Sequence, residues 1–311
     1  MSPLVSRAAS SIPVRTCRVG TMEALNFTTP LPEDSTNPLY HTDPTKCGTL
    51  RVMRAEGQSF SAAHLNALNA LGIDVLPCIR TEFSNDSAFT TYLTDWLNAL
   101  NFTPPWVEVG NEYQGPIGDY IDRLKLAAPI LRNRQIRIVG MACIDLTTYG
   151  AFTGTSVLAR ALNDGFHTSS WDLVDSLAIH AYSHDPSGSD PQTTTLRGFM
   201  PGGKRVSMTE FGWPSPVTAM NFTNAGAFTC TNAQQASNLT SALDALLAKM
   251  RAQRYAHLIQ FVHSDYILPS SSWDHHCGLT DENGVHKPSW DALKNYQLSG
   301  FSVGQKRFRY Y

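Results

Sequence analysis

The sequence has no run of about 18 uninterrupted apolar residues, the length a membrane-crossing helix requires. It lacks basic runs interleaved with aromatics, and its formal net charge of −2 gives no electrostatic footprint for nucleic acid. The short basic end KRFRYY reads as a solvated tail or docking segment. No GxGxxG or GxxxxGK[ST] turn follows the early strand candidates, so a nucleotide site has no support. The first residues, MSPLVSRAASSIPVRTCRVG, carry an early arginine but no apolar core of a secretion signal. An export signal has therefore been removed, or export takes another route. Cysteine is sparse: six in 311 residues do not build a disulfide scaffold. The group His275, His276 and Cys277 has no second cluster at metal-ligand spacing, so no metal is expected. No low-complexity linker or change of composition divides the chain, which points to one domain over residues 1–311.

What is present is alternation. Short β-branched apolar runs alternate with longer segments of helical period, the pattern of βα units around a parallel sheet. Strands are predicted at 14–20, 49–54, 73–80, 106–110, 136–142, 176–182, 205–211 and 258–264. Between them, Leu65, Leu68 and Leu71 repeat at helical spacing before a C-capping Gly72. The stretches DYIDRLKLAAPILRN and NAQQASNLTSALDALLAKMRAQ read as helices, with Pro129 a kink in the first. Eight strands with about seven helices fit a closed (β/α)8 barrel, which typically needs about 250 residues. Residues 20–46 hold four prolines and little periodicity, so an irregular excursion replaces the first helix. Cys78 and Cys143 fall in apolar runs as buried thiols. The barrel places Cys230 and Cys277 near each other, as a bridge or as two free thiols. Five Asn-X-Ser/Thr triplets, at Asn26, Asn85, Asn101, Asn221 and Asn238, exceed chance too little to settle the compartment.

Two glutamates stand where barrel chemistry is done, at the carboxyl ends of strands. Glu112 ends WVEVGNE, and Glu210 closes RVSMTE just before a Phe-Gly-Trp-Pro turn. In this pairing the sequence resembles the large clan of (β/α)8 retaining glycoside hydrolases. That clan carries Asn-Glu at the end of its fourth strand and a nucleophilic Glu at the end of its seventh. The resemblance implies hydrolysis of a β-glycosidic bond without a cofactor. Glu210 would attack the anomeric carbon, while Glu112 first protonates the leaving oxygen and then acts as base toward water. Carboxyl groups about 5–5.5 Å apart accompany retention, and about 6.5–9.5 Å inversion.

The resemblance assigns further roles. Arg51 is similar to the clan arginine that holds the nucleophile, with Arg54 the alternative if the register slips. Asn111 matches the asparagine on the sugar hydroxyl beside the anomeric carbon. His180 and Tyr182 share one face of the sixth strand by two-residue alternation and point into the site. Trp213 and Trp273 are candidates for sugar stacking, whereas Trp290 belongs to the last helix and the core. Many clan members end the eighth strand with tryptophan, but this chain reads LIQFVHSDY, so Phe261, His263 or Tyr266 would substitute. The phrase TEFGWPS is similar to endo-1,3-β-glucanases. Comparable wording occurs in cellulase-like, mannanase-like and exopolysaccharide-hydrolysing relatives, leaving sugar and linkage open. A transglycosylase would use the same residues, and a catalytically silent carbohydrate-binding barrel is the rival of another class. The expected partner is a polysaccharide or oligosaccharide, met outside the cell by a monomer or small homo-oligomer.

Overall fold

A computed structural model describes residues 18–23, 49–53, 62–70, 73–111, 117–143, 168–188, 193–194, 196–198, 200–222, 226–249, 254–262, 265 and 273–294. Eight parallel strands close into a barrel. In chain order they are β1 (Arg18–Glu23), β2 (Leu50–Val52), β3 (Val75–Ile79), β4 (Trp106–Val109), β5 (Arg137–Cys143), β6 (Ser176–His180), β7 (Arg205–Phe211) and β10 (Tyr255–Gln260). Each pairs in parallel with its neighbours, and β1 closes the ring by joining both β2 and β10. Between β7 and β10 an antiparallel hairpin is inserted, β8 (Val217–Asn221) with β9 (Ala227–Cys230).

The strand residues are apolar on both faces because both faces are covered, as parallel sheets require. Every residue of β3, β4, β6 and β10 is buried. Val107, Val109, Ile138, Val206 and Met208 join an outer core with helical residues. These come from α1 (Ala62–Ala70), α2 (Asp86–Ala99), α3 (Ile117–Asn133) and α4 (Asn232–Ala248). Leu76, Trp106, Val139, Ala178 and Ala256 form a separate inner cluster drawn from five strands. That cluster fills the barrel interior. By two-residue alternation Cys78, Glu108 and His180 then face inward one layer above it.

Helix ends follow local chemistry. Asn85 Oδ1 caps α2 by accepting from the Ala88 amide, and Thr231 with Gln234 forms a reciprocal capping box on α4. Pro129 lies inside α3 near its end.

Strand assignments differ from expectation at the barrel seam. β1 runs to Glu23 rather than stopping at Gly20, and β10 starts at Tyr255, three residues before the expected Leu258. The early part of β10 is masked in sequence by His257, which is buried because its Nδ1 meets Ser207 Oγ at 2.8 Å. The remainder of the expected irregular excursion lies outside the described residues.

A buried ion pair ties the loops at the mouth together. Lys287 Nζ lies 2.7 Å from Asp265 Oδ2 and donates to the carbonyls of Ser215 and His276. Asp265 Oδ1 accepts from the Gly278 amide at 2.7 Å. Burial pushes the Asp265 carboxyl above its ordinary range, and Lys287 partly offsets that. The segments after β7 and after β10 are thus fixed to each other, which sets the rim around the carboxyl end of β7. Cys230 and Cys277 are both buried thiols and form no bridge with each other. Burial raises the Cys230 thiol to about 11, with Lys287 opposing the shift.

Candidate active site

The site grows from the carboxyl ends of β2, β4, β6 and β7. Glu210 lies near the end of β7, paired in register with His180 on β6, and is only 5% exposed. A register shift between Ile179 and His180 brings the two side chains to the same level. Arg51 Nη1 donates to Glu210 Oε1 at 2.7 Å, and the Tyr182 hydroxyl donates to Oε2 at 2.8 Å. His180 Nδ1 stands 3.3 Å from the same Oε2.

Arg51 is fully buried, and its planar fork is engaged in three directions. Nε meets Glu108 Oε2 at 2.6 Å, Nη1 meets Glu210, and Nη2 meets Asn111 Oδ1 at 2.7 Å. These are charge-assisted lengths, and the planar fork suits carboxylates in a way a lysine would not. Burial works against the guanidinium charge, but Glu108, Cys78 and Glu210 outweigh it and hold the group firmly protonated. The Cys78 thiol is pushed well up, first by burial and then by the charge of Glu108, so it is a neutral neighbour.

Gly110 turns the chain at the end of β4. Its φ is +83°, its amide donates to the Ile79 carbonyl at 2.8 Å, and an added Cβ would lie 2.8 Å from the Tyr120 ring. The Tyr120 hydroxyl donates to the Val109 carbonyl at 2.8 Å, so the ring cannot easily withdraw. This turn aims Asn111 at Arg51. Replacing Gly110 with alanine is expected to cost about 1–3 kcal/mol through left-handed strain and overpacking. The expected readout is a lower Tm together with a lower kcat, because Asn111 moves with the turn.

An aromatic wall borders Glu210. Tyr182 packs edge-on against Trp273 at 4.7 Å and Phe261 at 6.1 Å, and Phe222 joins Trp273 at 5.0 Å. Trp273 is half-buried and Phe261 buried. Trp213 departs from its expected place. It is 1% exposed, its indole N–H donates to the Ser183 carbonyl at 2.8 Å, and it packs against Phe211, so it offers no face for stacking a sugar. Trp290 is buried among helical residues 288–294, as expected of a core residue. Glu112, Arg54, His263 and Tyr266 lie outside the described residues. Among the described residues, no group of three or more His, Cys, Asp or Glu could hold a metal ion.

Sequence reading overlooked two participants. Glu108 was passed over as one letter of an apolar strand, although a carboxylate at an inward position of a buried strand is itself a signal. Phe222 falls in the unforeseen hairpin region and carried no such signal.

No family model matches the sequence, and no curated protein does. Solved structures match in fold. A family 39 glycoside hydrolase from Bacteroides cellulosilyticus WH2 aligns with a TM-score of 0.60 at 15% identity, over 91% of this chain and 63% of that one. A GH5_18 from Bifidobacterium longum subsp. infantis gives 0.64 at 12% identity, over 91% and 79%. A β-glucuronidase of Faecalibacterium prausnitzii gives 0.60 at 13% identity, over 90% and 48%. The chain thus spans less than two thirds of the first and third of these proteins. At such identities the likeness concerns architecture: this chain has the (β/α)8-barrel fold on which those hydrolases are built.

Proposed function

We propose that this chain is a retaining glycoside hydrolase, with residues 1–311 forming one catalytic domain. The observation that carries the reading is Glu210 at the mouth of the barrel, receiving hydrogen bonds from Arg51 Nη1 and the Tyr182 hydroxyl. A neighbouring cation and donated hydrogen bonds favour the ionised form of a carboxyl group, as a nucleophile requires. The glycoside hydrolases among the fold neighbours support the same class of reaction.

In the first step a Glu210 oxygen bonds to the anomeric carbon as the glycosidic C–O bond breaks. Glu112 delivers a proton to the departing oxygen. In the second step Glu112 takes a proton from water, whose oxygen displaces Glu210 and restores both groups. Asn111, its Oδ1 held by Arg51, has its amide left to donate to the sugar hydroxyl next to the anomeric carbon. Tyr182 steadies the nucleophile, and Trp273 and Phe261 bound the sugar. The substrate is a β-linked polysaccharide or oligosaccharide, with endo-acting glucanase character suggested by TEFGWPS, and the setting is extracellular.

Incubation with a panel of β-linked polysaccharides, followed by proton NMR of the first anomer released, tests this. A β-anomer appearing first and then mutarotating is the expected result. An α-anomer appearing first would make the enzyme inverting. Binding across the panel without any cleavage would favour a carbohydrate-binding barrel.

A further inference from the structure

Glu108 is a third carboxylate in this site that the double displacement does not use. It is completely buried on β4, opposite Cys78 of β3 in register, and its Oε2 lies 2.6 Å from Arg51 Nε. Its other oxygen, Oε1, is buried as well, and the Cys78 thiol hydrogen-bonds to the Glu108 carboxyl group. One guanidinium thus faces two carboxyl groups, Glu108 and Glu210.

We propose that Glu108 is a positioning residue: by gripping Arg51 Nε it aims Nη1 at Glu210 and Nη2 at Asn111, and by sharing the cation it sets the pH at which Glu210 ionises. The inference rests on the functional reading above. The geometric half follows from the fork. Arginine is long and loses several rotatable bonds on ordering, and one contact leaves its plane free to swing. Three contacts from β2 across to β4 and β7 fix that plane. The electrostatic half follows from charge. Among the described residues, the ionisable groups facing Glu210 include Arg51 from β2, Cys78 from β3, Glu108 from β4, and His180 and Tyr182 from β6; the proposed acid/base Glu112 is a further carboxyl group of the same site. Glu108 supplies a second carboxyl group on the same cation. Like charge disfavours ionisation, so Glu108 keeps Glu210 from becoming too weak a base to attack carbon.

The test isolates the nucleophile. Dinitrophenyl glycosides with fluorine replacing the hydroxyl beside the anomeric carbon, in gluco, manno and galacto forms, trap a glycosyl-enzyme. Glu210 oxygen bonds to the anomeric carbon while the C–O bond to the aryl group breaks, its electron pair leaving as dinitrophenolate. No proton from Glu112 is needed. The trapping rate is followed against pH by phenolate release, and the labelled residue is located by mass spectrometry.

In Glu108→Gln, which can still accept from Arg51 Nε, the acid limb of the trapping rate is expected to fall by about one pH unit. In Glu108→Asp, which keeps the charge but shortens the reach, the limb should stay in place while the plateau rate falls toward about 10²-fold. An unmoved acid limb in folded Glu108→Gln overturns the inference. Should that variant not fold, an unchanged plateau in Glu108→Asp overturns it instead. A lower Tm with wild-type trapping in both variants means a structural carboxylate only. Wild-type protein left unlabelled at Glu210 by all three probes overturns the functional reading, and the inference with it.

Discussion

Replacing Glu210 with glutamine should lower kcat by about 10⁴–10⁶-fold, the loss seen when a nucleophile is removed from a site that otherwise stays intact. The amide is nearly isosteric with the carboxylate. Its oxygen can accept from Arg51 Nη1, and the Tyr182 hydroxyl can rotate to accept from the new N–H, so both contacts survive in altered polarity. Arg51 also keeps Glu108 as its counter-ion, which avoids stranding a buried cation. The variant should therefore fold and bind oligosaccharide about as well as the parent. What it loses is an electron pair able to attack the anomeric carbon. Initial rates on a cleaved substrate, with isothermal titration of the same glycan, separate the two. Near-parental turnover would remove Glu210 from the nucleophile's role. Loss of turnover together with loss of binding would point to a collapsed site.

Much of this arrangement could be read from sequence, because a barrel converts strand order into position. Asn111 and Glu210 sit at the ends of runs that are apolar for a structural reason, burial on both faces. Recognising the runs therefore placed the residues in the fourth and seventh strands. Arg51 was legible for a similar reason: an arginine inside a buried strand has to find a carboxylate, and here it meets two. Tyr182 and His180 followed from alternation, although the register shift that levels His180 with Glu210 leaves no trace in letters.

Other features were hidden by partners distant in sequence. Glu108 looked like an interruption of WVEVG until Arg51, on β2, was brought beside it. His257 disguised the start of β10 because its partner, Ser207, lies on β7. Trp213 was misplaced because adjacency to Glu210 in sequence says nothing about direction. The turn after β7 directs the indole toward the Ser183 carbonyl, into the wall between β6 and β7. Lys287 and Asp265 have no shared motif, and only the closure of the rim brings them together.

Replacing Arg51 with methionine should be the most damaging change to stability, and its cost should depend on pH in a defined direction. Methionine keeps much of the apolar stem but leaves Glu108 and Glu210 buried together without their cation. Breaking a buried pair by removing one partner typically costs about 3–5 kcal/mol. In the parent, Arg51 stays protonated throughout the accessible range because Glu108, Cys78 and Glu210 outweigh the burial that opposes its charge. In the variant the two buried carboxyl groups face each other without their cation, and protonating one of them relieves that repulsion. An acid raised on folding adds stability below its unfolded value and loses it as pH climbs through the folded one. The gap in Tm between parent and variant should therefore be widest near neutral pH and narrow as the solution is acidified toward about pH 4–5. A gap independent of pH would mean that only packing had been lost. Trapping by the dinitrophenyl fluoro-glycosides supplies the catalytic half: in Arg51→Met the acid limb should move up, opposite to its movement in Glu108→Gln. Removing the cation and removing the competing carboxylate shift the ionisation of Glu210 in opposite directions, a pattern that general loosening of the barrel would not produce.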